Sequence, residues 1–194
     1  MLDSESATAR GFDLLIFSGT WPACVAAALV ALCGQALFAG TAPVPWSPMA
    51  LAAAGTFLVY NVDRLRDQAR DRDSSPARTA FVERNRVHLT FLCGFAGLAS
   101  AFLAARQPPL AWALLATAFS LGIFHRRLKG HPTYGIVYVT AAWLVVVVGL
   151  PALSQPAGTF SPERLFWLAL VLGTVIAANL VGSELRERAP NEKT

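Results

Sequence analysis

Asp63, Asp67 and Asp71 recur every four residues, with Arg64, Arg66, Arg70 and Arg72 interleaved among them and Asp73 just beyond. On a helix that spacing lines three carboxylates along one face, each about a turn from the next. Like charges so placed repel one another, and a cation seated on the row relieves the repulsion. Mg²⁺ suits the role, because it takes carboxylate oxygens together with the phosphate oxygens of a substrate. The same spacing equally describes a solvated helix whose aspartates pair with its arginines. Position favours the metal reading: the cluster follows directly on the apolar stretch FLVYNV, which is interrupted only by Asn61.

Two further groups carry charge. Arg126, Arg127 and Lys129 form a basic connector closed by Gly130 and Pro132. Glu184 and Glu187, three residues apart, follow the last apolar segment, as the aspartates follow an earlier one. Carboxylates that hold a metal, beside guanidinium and ammonium groups that hold phosphate oxygens, describe a site for a lipid diphosphate. Taken alone, SELRER reads more readily as a tail with Glu–Arg pairs along its own helix. Asn179 lies inside an apolar segment, where an amide needs an internal partner; interhelical bonding and substrate contact suit it equally.

The elements that must position these groups are membrane helices. Of 194 residues, 55% are hydrophobic and 14% charged, where a soluble domain carries about a quarter charged. No Asp, Glu, Lys or Arg occurs in 14–62, 87–105, 107–125, 130–162 or 165–183. Apolar runs of about 18 residues or more are long enough to cross a bilayer as helices. The chain is predicted to be all-α, a polytopic transmembrane bundle with spans at about 14–38, 49–62, 88–105, 110–124, 133–150 and 165–181. Pro22 predicts a kink near Trp21 in the first span. A polar loop, 63–86, carries the aspartates, with a helix break at Ser74, Ser75 and Pro76. Residues 1–13 and 184–194 are polar tails flanking the membrane domain, 14–183.

With six crossings, fourteen of the sixteen Lys and Arg fall on one side and only Arg106 and Arg164 on the other. By the positive-inside rule that puts both termini in the cytoplasm of a bacterial-type inner membrane. The acidic N-terminal tail, with Asp3 and Glu5, is unlike a cleaved signal peptide. Cys24, Cys33 and Cys93 fall in apolar segments and read as packing residues. His88, His125 and His131 share no metal-ligand spacing. The net charge of +4 reports loop sidedness and does not imply nucleic acid.

An apolar helix ending in YNVDRLRDQARDRDSSPAR resembles the first aspartate-rich motif of the UbiA superfamily of intramembrane prenyltransferases. RLKGHPTYGIVYVTAAW resembles that family's basic connector, and AANLVGSELRE lies where its second acidic motif is found. The resemblance implies Mg²⁺-dependent transfer of a prenyl group from a polyprenyl diphosphate to a lipid-soluble or aromatic acceptor. It makes Asp63, Asp67 and Asp71 the catalytic, metal-side carboxylates. Glu184 and Glu187 stand in for the second motif. Asn61, Arg64, Arg78, Arg126, Arg127 and Lys129 become contacts of the substrate, with Asn179 a further candidate.

The chain departs from the family pattern in the position of Asn61, two residues before Asp63, and in having Glu for Asp in the second motif. Members also carry more helices than the six expected here, and the additional ones close the substrate cavity. The resemblance therefore points to a short, C-terminally truncated or degenerate member, or to a homo-oligomer or second chain that completes the bundle. The alternative function is a non-catalytic UbiA-like protein that binds membrane lipid or scaffolds a partner.

Overall fold

The computed structural model describes residues 14–38, 45–68, 72, 75–128, 132–154 and 161–188. Among them every regular element is a helix. In chain order these are α1 (Thr20–Phe38), α2 (Trp46–Arg66), α3 (Pro76–Arg84), α4 (Arg86–Ala105), α5 (Pro109–Leu128), α6 (Pro132–Leu144), a π-helical turn (Val145–Gly149), the short α7 (Leu150–Leu153) and α8 (Pro162–Arg188).

Among the described residues four stretches are long and apolar enough to cross a bilayer: Thr20–Phe38, Arg86–Ala105, Gly135–Leu153 and Pro162–Ser183. The chain is thus a helical membrane protein by the length and composition of its helices. The other two expected spans are helical but weaker. Within α2, Ser47, Gly55, Thr56 and Asn61 dilute the apolar content. The apolar part of α5, Pro109–Leu121, is shorter than a crossing.

The chain divides into two compact units, one of residues 1–29 and 46–106, the other of 30–45 and 107–194. In the first, α2 packs along α4. The seam residues of α4 are Leu89, Cys93, Ala96 and Leu103, all buried. Their spacing of four, three and seven keeps one stripe of a helix turned toward its neighbour. The loop expected at 63–86 is only partly a loop. Pro76 occupies the first turn of α3, where its missing N–H costs nothing, and Val82 and Thr79 of that helix are buried. Phe81 of α3 packs against Phe17, with ring centroids 5.8 Å apart.

In the second unit α6, the π turn and α7 continue as one apolar rod packed against α5 and α8. Pro151 has no N–H to offer the Val147 carbonyl four residues back, and the turn just before it is the one that widens to π geometry. Gly149 allows that turn to approach α5, since a Cβ there would run into Leu114 Cδ1. Leu37, Phe38 and Ala152 form a buried cluster, with Leu165 and Leu168 packed on it.

The first span differs from expectation in one consequential way. It does not run unbroken from residue 14 with a kink at Pro22. Residues 14–17 form a separate helical turn, and the chain breaks at Ser18 and Gly19, where Gly19 has a φ of 75°. A left-handed residue ends a helix, and glycine enters that conformation without the Cβ penalty. Pro22 then falls in the first turn of α1, where no intrahelical acceptor waits for its N–H.

Candidate functional site

The break creates a problem that α2 solves. In a continuous helix the Ser18 carbonyl would accept from the N–H of residue 22, but residue 22 is proline and has none. Asn61 Nδ2 supplies the missing donor to the Ser18 carbonyl oxygen at 2.7 Å. One turn further along α2, Arg64 Nη1 donates to the carbonyl oxygen of Phe17. At the start of α1, Ser18 Oγ accepts from the Thr20 N–H at 3.3 Å, a local side-chain-to-backbone bond across two residues.

The fit is close on all sides. Asn61 is fully buried and Ser18 nearly so. A Cβ on residue 19 would sit 2.8 Å from Asn61 Nδ2, so glycine is needed there for space as well as for φ. Asn61 Nδ2 also donates to the Phe57 carbonyl, four residues back on its own helix, at 2.9 Å. Both partners are carbonyl oxygens, which fixes the orientation of the amide. Its Oδ1 is buried without a hydrogen-bond partner among the described residues. The Arg64 guanidinium carbon lies 5.8 Å from the centre of the Tyr60 ring, within range of a cation–π contact.

The carboxylates sit on the same end of α2. Asp63 is exposed in its last turn. Asp67 follows just after the helix ends and is half-buried, and its N–H donates to the Asp63 carbonyl at 2.9 Å. That bond keeps the two residues one helical turn apart. The expected third member of the row, Asp71, lies outside the described residues, and α2 itself stops at Arg66. Arg78, half-buried, lies in the first turn of α3. No group of three or more His, Cys, Asp or Glu side chains comes together among the described residues. A pair of carboxylates one turn apart still fits Mg²⁺, a hard cation commonly held by one or two carboxylates with water and phosphate oxygens completing the shell.

Asn61, Asp63, Arg64, Asp67 and Arg78 all belong to the first unit. The remaining candidates belong to the second. Arg126 and Arg127 lie at the end of α5, and Glu184 and Glu187 in the last turns of α8, with their side chains outside the described part. Lys129 is outside it altogether. Asn179 on α8 is exposed.

Two of the sequence candidates thus hold the chain together. The amide of Asn61 and one terminal nitrogen of Arg64 are committed to the backbone of residues 17 and 18. The residues missing from the sequence reading are Ser18 and Gly19. The available signal was the order Ser18-Gly19-Thr20-Trp21-Pro22, in which a helix-breaking glycine precedes a proline by three. No protein-family model, curated protein or solved structure matches the chain.

Proposed function

We propose that the chain is a six-span, UbiA-like protein of a bacterial-type inner membrane that transfers a prenyl group from a polyprenyl diphosphate to a lipid-soluble or aromatic acceptor. The observation that carries this reading is the end of α2. There an apolar helix hands over to Asp63 and Asp67, one turn apart, with Arg78 on the neighbouring α3 of the same unit. The lopsided distribution of Lys and Arg supports cytoplasmic termini and, in this reading, an inner-leaflet position for this end of α2.

In this reading Asp63 and Asp67 are the metal-side carboxylates, with Asp71 as a further acidic ligand. Bound Mg²⁺ would neutralise the charge on the departing diphosphate. Arg78 orients that group through charge-assisted hydrogen bonds. The allylic carbon–oxygen bond breaks and its electron pair leaves with the diphosphate. The acceptor nucleophile bonds to the resulting carbocation and releases a proton. Asn61 and Arg64 act one step back: by fastening the broken first span to α2 they set the direction in which Asp63 and Asp67 leave the membrane. A homo-oligomer or a second chain would complete the cavity.

A non-catalytic protein that binds lipid or scaffolds a partner is the second reading. The commitment of Asn61 and Arg64 to backbone carbonyls favours it, because those donors are withdrawn from a diphosphate. One experiment separates the two. The purified full chain is incubated with radiolabelled prenyl diphosphates and a membrane extract, with and without Mg²⁺. Transfer of label to an extractable acceptor, lost without Mg²⁺ and lost in D67A, is expected. Mg²⁺-dependent binding without transfer would favour the second reading. Binding that is unchanged in D67A would remove the basis for both roles of this site.

A further inference from the structure

The outer face of α4 has no part in the site at the end of α2. Its inner stripe, Leu89, Cys93, Ala96 and Leu103, is buried. The opposite face is among the most exposed apolar surfaces of the first unit, with Phe91 at 76%, Phe95 at 72% and Leu98 at 75% exposure. An arginine stands at each end of α4. Arg86 opens the helix and Arg106 follows its last residue, the latter stacked on Phe102 with its guanidinium carbon 4.2 Å from the ring centre. Twenty residues separate the two, about 30 Å at the rise of an α-helix. The hydrocarbon core of a bilayer is also about 30 Å thick. Charges at both ends of an apolar helix of this length match the two headgroup levels, which makes lipid the occupant argued for the aromatic face.

The Arg86 end is built for more than generic lipid. Arg86, Val87, Thr90 and Phe91 line a shallow depression of about 220 Å³ on the surface of α4. A guanidinium at its polar end and an aromatic ring one turn into the membrane match a lipid's charged headgroup and the start of its acyl chain. Arg84, exposed at the end of α3, stands two residues away. The nearby acid does not cancel this charge, because Glu83 Oε1 is paired with Arg72 Nη2 at 2.7 Å. The junction of α3 and α4 therefore presents two arginines outward beside the start of an apolar face.

We propose that this junction is a binding site for an anionic phospholipid, with the phosphodiester held by Arg86 and Arg84 and an acyl chain laid along Phe91 and Phe95. The site is independent of the proposed prenyl transfer.

The test uses the full chain in detergent, supplied with equal mole fractions of phosphatidylglycerol and phosphatidylcholine and read by native mass spectrometry. At about 1 kcal/mol for each basic residue near the headgroups, one arginine alone gives roughly a fivefold preference for the anionic lipid. The expected ratio is at least that for the native chain and for R86K, and lower by at least about that factor for R84Q/R86Q. F91A is expected to keep the ratio while retaining less lipid of both kinds. Far-UV circular dichroism checks that each variant keeps its helices; if the double variant does not, R86Q alone is read and is expected to lower the ratio. A ratio unchanged in R84Q/R86Q, or lost instead in R106Q, would overturn the assignment. Displacement of the anionic lipid by excess inorganic phosphate would overturn it as well, by showing that the junction takes a free anion and gains nothing from the acyl chain.

Discussion

Replacing Asn61 tests the link between the broken first span and the helix that carries the carboxylates. In N61A the Ser18 carbonyl loses the donor that stands in for the N–H absent from Pro22. The bond to Phe57 matters less, since that carbonyl is also within reach of the helix's own i to i+4 bonding. A buried carbonyl left without a partner costs about 1–3 kcal/mol, and the void left by the truncated side chain adds to it. A loss of about 2–3 kcal/mol is expected. N61D removes the donor while nearly keeping the volume, and turns acceptor oxygens toward two carbonyls; it is expected to cost at least as much as N61A. The assay is unfolding of the purified chain in mixed micelles by increasing sodium dodecyl sulfate, followed by far-UV circular dichroism. If N61D lies within about 0.5 kcal/mol of the native chain, the amide is not what holds the break, and the positioning role argued for Asn61 fails with it.

Two other substitutions read out local packing by the same assay. G149A places a Cβ against Leu114 Cδ1, the end of a half-buried side chain that can swing aside; moving it offsets the ~1 kcal/mol that alanine gains over glycine in a helix interior, for a net change of less than about 1 kcal/mol. In an L114A background the clash is gone, and the same change at residue 149 is expected to become stabilising. R72A should move stability by less than about 0.5 kcal/mol despite its 2.7 Å contact with Glu83, because the two side chains are 68% and 44% exposed; a larger loss would mean that this pair helps to hold α3 in place.

The class of the protein was legible in the sequence because the bilayer imposes a length and a polarity that can be counted residue by residue. Among the described residues, charge-free runs located the four membrane-length helices along with two weaker ones, and the return of charge after Val62 located the end of α2 to within four residues. The four-residue spacing of Asp63 and Asp67 likewise survives as one helical turn, since such spacing is a local property. What Asn61 and Arg64 do was not legible. Both sat beside the aspartates and looked like contacts of a substrate, whereas the fold spends an amide and a guanidinium nitrogen on carbonyls more than forty residues earlier in the chain. Periodicity reports which face of a helix is apolar, but it cannot say which distant backbone group lacks a donor. That depended on Gly19 entering a left-handed turn, on Pro22 having no N–H, and on α2 lying against the gap between them.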